Sequence, residues 1–158
     1  MAHLSFPLLV HAMLAISLSG FAPAVPATGA DVDPESLAAA FAAAGFERDE
    51  AGRYIRCQED PPTMSYQPGR AEVVDLNGDG QPEIWITEGS VFCYGNTGSA
   101  FVLLTRDSNG WRKLLDQTGM PLVLDTRHAG WPDIEVGGPG FGKFPVFRWD
   151  GQGYSQLP

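Results

Sequence analysis

Positive charge is scarce in this sequence, which has 10 Lys and Arg residues against 19 Asp and Glu residues and a formal net charge of −9. The basic residues are spread along the chain and form no cluster. Nucleic acids and anionic membranes both attract proteins through an excess of Lys and Arg. The composition therefore argues against both as partners and favours a soluble, cation-binding protein, and its 158 residues predict one domain.

Catalytic motifs are also lacking. Beyond the first 30 residues the only histidine is His128, so a His-based triad or a zinc site lacks the companion residues that it needs. Residues 137–143 fit the pattern G-x-x-x-x-G-K, but Phe144 stands where a Ser or Thr must hold magnesium. We interpret this segment as a Gly-rich turn and expect the protein not to be an enzyme.

Charged side chains are absent from the first 30 residues, where an apolar run over residues 8–18 leads into small residues and prolines. This order is typical of a signal peptide, and residues 28–30 suit a signal peptidase, with residues 25–27 as the other candidate site. A run of about 11 apolar residues is too short for a bilayer span, which needs about 20. We therefore expect residues 1–30 to be a signal peptide, residues 31–158 to form a periplasmic or secreted domain, and no segment to span a membrane.

Cysteine occurs only twice, at Cys57 and Cys93, and the two residues do not form a C-x-x-C redox motif. In an exported chain two cysteines favour a disulfide over a catalytic thiol. We expect Cys57 and Cys93 to be joined. A closed loop of that length stabilises a fold by roughly 4 kcal/mol in the chain-entropy model.

One short helix is predicted over residues 34–44. Asp33 is a suitable N-cap, a proline follows it at the first helical position, and Gly45 is a suitable end. Leu37 and Phe41 fall on one stripe of this helix, which predicts that it docks on a sheet.

Residues 75–83 combine many oxygen-bearing groups in a short segment. Side chains at alternate positions can turn inward from one backbone curl, and Gly80 permits the sharp turn that follows them. Calcium prefers six to eight oxygen ligands, including carboxylates, amides and main-chain carbonyls. The sequence predicts a calcium ion held by Asp75, Asn77, Asp79, the Gln81 carbonyl and Glu83.

The loop is not an EF-hand, because position twelve is Ile86 and both flanks have the composition of strands. In this strand-loop-strand setting the D-x-N-x-D-G-x-x-E pattern resembles the calcium loops of FG-GAP and VCBS repeats, which build integrin-type β-propeller blades. The resemblance implies a calcium-loop repeat in a small exported domain of bacterial type. A metal-free Asn-Gly and Asp-Gly turn between two strands is the alternative interpretation.

The chain repeats itself after residue 70. Residues 72–86 match residues 122–136 at a spacing of 50, and residues 101–111 match residues 144–154 at a spacing of 43. The first copy has seven extra residues around positions 93–98. In the second copy of the loop Arg127 and Ala129 replace the ligands Asn77 and Asp79, so we expect only the first loop to bind metal.

Each copy predicts four strands and a D-x-x-G hairpin turn, the pattern of one propeller blade. Two blades cannot close a ring, since known rings have about four or more. The predicted fold is therefore mainly β, with two four-stranded antiparallel blade-like meanders packed on each other and the helix over an open face. The repeat units cover about residues 71–115 and 121–158.

The predicted function is a non-catalytic, calcium-stabilised binding module of the adaptor or inhibitor type. Its candidate binding surface comprises Trp131, Phe141 and Lys143, and its partner is an unidentified envelope or extracellular protein or glycan. Core packing of a small β domain is the alternative explanation for the aromatic residues. The alternative is a cell-envelope hydrolase that uses Asp133 and Glu135, which alternate on one strand.

Overall fold

The computed structural model describes residues 32–59, 61–140 and 142–158. The predicted signal peptide therefore lies outside the described residues. The helical segments are α1 (Pro34–Ala44), α2 (Val91–Tyr94) and a 3-10 turn (Gly95–Thr97). The strands are β1 (Glu47–Arg48), β2 (Tyr54–Ile55), β3 (Gln67–Val74), β4 (Glu83–Gly89), β5 (Ser99–Asp107), β6 (Gly110–Thr118), β7 (Met120–His128), β8 (Trp131–Gly137), β9 (Val146–Trp149) and β10 (Tyr154–Gln156).

Two four-stranded antiparallel sheets form the body of the domain, which confirms the predicted fold class. The first sheet has the order β3-β4-β5-β6 and the second has the order β10-β9-β8-β7, so each is a meander of consecutive hairpins. The D-x-x-G turns lie where the repeat predicts them, with Asp107 paired to Gly110 and the Asp150 amide donating to the Gly153 carbonyl at 2.9 Å. Among the described residues no helix is long and apolar enough to cross a membrane.

The first sheet is covered on both faces, which explains why most of β4 is buried. Ile84 and Ile86 point to the side of α1, while Trp85 points to the second sheet. A strand that is apolar on both faces is expected where a sheet lies between two layers. The domain therefore has three layers, namely α1, the first sheet and the second sheet.

Two hydrophobic cores hold these layers together. The core between the two sheets contains Leu76, Trp85, Phe101, Leu103, Leu114, Leu115, Trp131, Ile134, Val136, Phe147, Trp149 and Tyr154. The core between α1 and the first sheet contains Ala40, Phe41, Ala44, Phe46, Ile84, Ile86, Val102 and Leu104. Burial of this apolar surface is the main stabilising contribution to the fold.

Helix α1 covers the residues over which the sequence predicts it. The Asp33 carboxylate accepts a hydrogen bond from the Ser36 amide at 2.9 Å, and Gly45 ends the helix in the left-handed conformation. Phe41 is 3% exposed and stacks on Tyr54 with ring centroids 3.7 Å apart. The predicted docking of this helix on a sheet is confirmed.

The segment between the two cysteines departs from the predicted boundaries. Strand β3 begins at Gln67, earlier than the predicted start of the first repeat unit at about residue 71. The extra residues of the first copy form α2 and the 3-10 turn, and the Ser90 hydroxyl caps α2 by accepting from the Cys93 amide at 3.0 Å. A disulfide joins Cys57 to Cys93, as predicted from the cysteine count.

Candidate functional site

The loop between β3 and β4 is organised by the carboxylate of Asp75. One carboxylate oxygen accepts from the Gly78 amide at 2.8 Å and the other accepts from the Gly80 amide at 3.0 Å. The backbone therefore curls around this side chain, with Gly78 and Gly80 both at positive φ. This is the curl that the alternating pattern predicts.

Asn77 and Asp79 continue the same arrangement. The Asn77 side-chain oxygen accepts from the Asp79 amide at 2.8 Å, and the Asp79 carboxylate accepts from the Gln81 amide at 2.7 Å. The Asn77 amide group also donates to Asp79 Oδ2 at 2.9 Å, which places the two side chains side by side. Asp75, Asn77 and Asp79 thus lie on one accessible curl, as the calcium prediction requires.

Glu83 is placed differently from the other predicted ligands. It is 0% exposed, and its carboxylate accepts from the Leu76 amide and from the Thr105 hydroxyl, both at 2.9 Å. Burial raises the pKa of Glu83, and the negative charges of Asp79 and Asp75 act in the same direction. In this structure Glu83 therefore links the loop to β5 through hydrogen bonds.

The second copy has an acidic residue at the position equivalent to Glu83, and an arginine forms an ion pair with it. Asp133 corresponds to Glu83 and is 2% exposed. Its carboxylate accepts two hydrogen bonds from Arg148, at 3.0 and 2.7 Å, and one from the Thr126 hydroxyl at 2.7 Å. Arg148 is equivalent to Thr105 at the spacing of 43 residues. The third strand of the second unit therefore carries a positive charge at the position where the first unit has a neutral hydroxyl group.

The second loop has become a tight hairpin. His128 pairs with Trp131, so Ala129 and Gly130 form a two-residue turn with φ angles of 49° and 87°. Two successive residues at positive φ are typical of the turn that joins twisted antiparallel strands. The backbone here therefore makes a short turn where the first copy makes an open curl.

Arg127 connects the two loops. Its guanidinium donates to the Leu76 carbonyl at 3.1 Å and to the Gly130 carbonyl at 2.7 Å. Arg127, which stands at the position of the predicted ligand Asn77, thus contacts the first loop. The positively charged guanidinium of Arg127 therefore lies at the second turn.

Carboxylates from the described part of the chain do not converge in threes as a ready metal cage, and the same holds when His and Cys are included. The Glu83 carboxylate is hydrogen-bonded to the Leu76 amide and the Thr105 hydroxyl. The donor groups on the curl itself still fit a hard cation, because Asp75, Asn77 and Asp79 offer oxygens of the kinds that calcium prefers.

The candidate binding surface is only partly accessible. Trp131 lies in the core, where it stacks on Trp149 with centroids 4.5 Å apart and meets the edge of Tyr154. The interpretation of Trp131 as a surface binding residue is therefore corrected, since its ring is needed to fill the space between the sheets. Phe141 lies outside the described residues, and Lys143 is exposed at an open cleft of about 500 Å³ beside the C-terminus.

Asp133, one of the two acids proposed for hydrolysis, has the wrong electrostatic setting for a proton donor. Hydrogen bonds from Arg148 lower the pKa of Asp133, and Thr126 acts in the same direction. A general acid of a glycosidase needs a raised pKa instead. The surroundings of Asp133 favour a structural role for this carboxylate.

A buried polar network around Glu88 was missed by sequence reasoning. Glu88 is 2% exposed, and its carboxylate accepts from the Cys57 amide at 3.1 Å and from the hydroxyls of Tyr66, at 2.7 Å, and Tyr94. Burial and the bond to Glu88 raise the pKa of Tyr94 to about 12. The seven-residue insertion of the first copy was the one signal that this region differs from the second.

A second buried acid, Glu59, lies beside this network. Its carboxylate accepts from the Thr63 amide at 2.8 Å and from the Ser90 hydroxyl. The hydrogen bond from Ser90 and that from the Thr63 amide lower the pKa of Glu59. Glu59 and Glu88 thus connect residues 57–66 to residues 88–94 through hydrogen bonds close to the disulfide.

Comparison of the chain with models of known protein families, with curated proteins and with solved structures found no match.

Proposed function

We propose that this chain is an exported, non-catalytic binding module whose fold is stabilised by calcium at the loop between β3 and β4. The observation that carries the proposal is the contrast between the two copies of the repeat. The first loop presents Asp75, Asn77 and Asp79 on one curl, whereas the second has a tight turn and the cations Arg127 and Arg148.

Charge supports a metal at the first loop. The region of Asp75, Asp79 and Glu83 holds three carboxylates, and no ion pair to any of them occurs among the described residues. The negative charges of Asp79 and Asp75 disfavour ionisation of Glu83, and a bound cation would remove that repulsion. Calcium would supply that cation, with Asp75, Asn77, Asp79 and the Gln81 carbonyl as ligands, and Glu83 as the further predicted ligand.

Export is supported by the disulfide between Cys57 and Cys93, since such bonds form and persist in oxidising compartments. The charge-free first 30 residues support it independently. A binding role is favoured over catalysis because Asp133 has a lowered pKa and is paired with Arg148. The partner is expected to be an envelope or extracellular protein or glycan.

Calcium is expected to raise the melting temperature of the mature domain. An extracellular calcium site can have a dissociation constant as weak as about 10⁻³ M. Calcium at tenfold above its dissociation constant would stabilise the fold by about 1.4 kcal/mol. Titration calorimetry and thermal unfolding with calcium, with magnesium and with a chelator measure this effect, and magnesium should have little effect because it dehydrates reluctantly.

Three variants test where the ion binds. Asp79→Ala should abolish the calcium-dependent rise, while Asp125→Ala, at the matching end of the second turn, should keep it. Glu83→Gln tests the fifth predicted ligand, because an amide can keep both hydrogen bonds but carries no charge. Absence of both a heat of binding and a calcium-dependent shift in melting temperature would contradict the calcium proposal.

A pull-down from envelope extract tests the binding role. A single stoichiometric protein or glycan on the mature domain is expected. Turnover of peptidoglycan fragments or model glycosides that is lost in Asp133→Asn would instead make the protein a hydrolase.

A further inference from the structure

We propose that the cleft between the first sheet and strand β7 binds a neutral oligosaccharide. This inference rests on the proposed binding function and names a glycan as the partner. It does not depend on calcium.

Two small cavities share Thr87 as a wall and therefore form one elongated cleft. The larger cavity, of about 210 Å³, is lined by Glu72, Trp85, Thr87, Pro121 and Val123. The smaller cavity, of about 160 Å³, has the polar walls Gln67, Arg70, Thr87, Glu88 and Ser99. Strand β4 advances by roughly 13 Å between Trp85 and Gly89, so the cleft suits a short chain of linked rings better than a single ring.

The strand register explains why these side chains meet. Arg70 lies opposite Thr87 and Glu72 lies opposite Trp85 in the pairing of β3 with β4. Alternate side chains of a strand lie on the same face, and Trp85 belongs to the core between the two sheets. Arg70, Glu72 and Thr87 therefore lie on the face that is directed toward the second sheet. Val123 faces them from β7, because it pairs with a core residue of β8.

Most polar side chains of the cleft are not used within the protein. Glu88 is the exception, since its carboxylate accepts from the Cys57 amide and the Tyr66 hydroxyl. The side chains without a hydrogen bond or ion pair to another described residue are Gln67, Arg70, Glu72, Thr87 and Ser99. Together they offer a guanidinium that donates, a carboxylate that accepts, and hydroxyl and amide groups that do both. A ligand rich in hydroxyl groups can bond to all of them, because each of its hydroxyls both donates and accepts.

Trp85 adds a further donor. It is 7% exposed, and its indole N–H donates to no described residue, although buried indole N–H groups usually have a partner. Every fully enclosed side-chain N or O atom of the described residues has a hydrogen-bond partner. The indole N–H of Trp85 therefore reaches solvent, and the larger cavity is the one that Trp85 lines.

The larger cavity also has an apolar part, formed by Trp85, Pro121 and Val123. Ligand sites commonly combine apolar walls with a few polar groups that fix the orientation of the ligand. A sugar ring presents C–H groups on its faces and hydroxyls around its edge. It can therefore contact the apolar wall and the polar groups at the same time.

The charges of the cleft favour a neutral ligand. Arg70 and Glu72 are both exposed, have opposite signs and lie two residues apart on one face of β3. A polyanion would meet the carboxylate of Glu72, and a polycation would meet the guanidinium of Arg70. Electrostatic complementarity thus selects against both kinds of chain.

An extended peptide fits the cleft less well than a glycan. Peptides commonly bind a sheet by adding a strand to its free edge. Pro68 in β3 and Pro121 in β7 have no N–H group, so they interrupt the two strand edges that border the cleft. The groups that remain for recognition are side chains on the face of the sheet.

The second copy of the repeat does not retain these side chains. At the spacing of 50 residues, the positions of Glu72, Trp85 and Thr87 are taken by Leu122, Glu135 and Gly137. The second sheet nevertheless forms four strands in the same order. The strand pattern of a unit therefore does not require the polar and aromatic groups of the cleft, which supports a role in binding.

Titration calorimetry on the oxidised mature domain tests the proposal, with tri-N-acetylchitotriose, cellotriose and maltotriose as probes. At least one of these neutral trisaccharides should bind with a dissociation constant in the millimolar range or tighter. Binding should not weaken as salt rises from about 50 to about 300 mM, because screening acts only on charges.

A blocking variant locates the site. Val123 is 44% exposed and lines the larger cavity, so Val123→Trp should fill it and abolish the heat of binding. Leu122→Trp is the matched control, because Leu122 is 55% exposed on the opposite face of the same strand and binding should be retained. Unchanged melting temperatures verify that both variants are folded.

Polar variants test the recognition. Glu72→Gln and Thr87→Val should each weaken binding by about tenfold, as expected for the loss of one hydrogen bond. Glu47→Gln removes the same charge from an exposed residue of β1, outside the cleft, and should leave binding unchanged.

Three outcomes would overturn the proposal. The first is no heat of binding with any of the three trisaccharides. The second is binding that survives Val123→Trp, which would place the sugar site elsewhere. The third is a phage-displayed random-peptide library that yields peptides whose binding is lost in Val123→Trp, which would make a peptide the occupant. A partner recovered from envelope extract by Val123→Trp as well as by wild type would leave the binding function standing without the cleft.

Discussion

Glu83 and Asp133 occupy the same position in the two copies of the repeat, yet their carboxylates are stabilised by different groups. Glu83 accepts from a main-chain amide and the Thr105 hydroxyl, whereas Asp133 accepts from Arg148 and the Thr126 hydroxyl. Buried carboxylates are costly unless hydrogen bonds or opposite charges compensate them. Arg148 supplies the opposite charge for Asp133, whereas Glu83 has no ion pair among the described residues.

The pairing of Asp133 with Arg148 predicts a dependence of stability on pH. Because the folded state lowers the pKa of Asp133, its contribution to stability is present above the ordinary pKa and is lost as pH falls through the lowered value. Asp133→Asn should therefore lower the free energy of unfolding by about 2 kcal/mol at pH 7, the usual contribution of a hydrogen bond to a charged group. The difference from wild type should shrink below about pH 4.

Urea unfolding at pH 7 and at pH 3 measures this effect, with the exposed Asp125→Asn as a control that should change little at either pH. A loss of stability in Asp133→Asn that is equal at both pH values would show that the ion pair is not its cause.

Ala129 carries backbone strain at the second turn. Its φ angle of 49° lies in the left-handed region, which disfavours residues with a Cβ by roughly 1–2 kcal/mol. Ala129→Gly should therefore raise the free energy of unfolding by about 1 kcal/mol and the melting temperature by a few degrees. Thermal unfolding measures the change.

Ala42→Gly is the matched control for Ala129→Gly, because Ala42 is exposed within α1 and the same substitution in a helix should cost about 1 kcal/mol. A destabilising Ala129→Gly would contradict the assignment of strain to this turn.

At the scale of the elements, the passage from β6 to β7 sends the chain from the first sheet to the second through a single residue, Gly119. Its φ angle is +144°, and a Cβ there would lie 2.5 Å from Val136 Cγ1 and 2.6 Å from the Gly137 carbonyl oxygen. The two sheets can approach each other at this corner only because the residue has no side chain.

Gly119→Ala should therefore destabilise the domain by about 2 kcal/mol, the usual cost of overpacking. Gly153→Ala is a suitable control, since its nearest new contact is the Leu114 carbonyl oxygen at 3.5 Å and its change should stay within about 0.5 kcal/mol. Equal free energies of unfolding of the two variants in urea would show that the residues around Gly119 shift to accept a Cβ at little cost.

For the whole molecule, the disulfide between Cys57 and Cys93 joins the segment before β3 to the insertion after β4. Thiol labelling of the denatured, unreduced mature protein should find no free cysteine. Reduction should lower the free energy of unfolding by about 4 kcal/mol, because a closed loop restricts the unfolded chain. The variant Cys57→Ser/Cys93→Ser should match the reduced protein, and two labelled thiols in the untreated protein would contradict the bond.

The sequence alone determined the fold class, the position of α1 and the succession of two four-stranded units, but not β1, β2 or α2. Local signals were sufficient here, because the cap Asp33, the end Gly45 and the D-x-x-G turns each act over a few residues. The internal repeat added the long-range information that two similar four-stranded units follow each other. The curl of Asp75, Asn77 and Asp79 was also predictable, since its hydrogen bonds connect neighbours within the loop.

Only the tertiary structure decided which polar and aromatic groups are buried. Glu88 meets Tyr66 across a separation of 22 residues, and Arg148 meets Asp133 across a separation of 15, so no local pattern announces either contact. Trp131 was predicted to belong to a binding surface, but its ring lies in the core between the two sheets, where it stacks on Trp149. Burial depends on what packs from elsewhere in the chain, and this is why only the folded structure shows which large side chains are exposed.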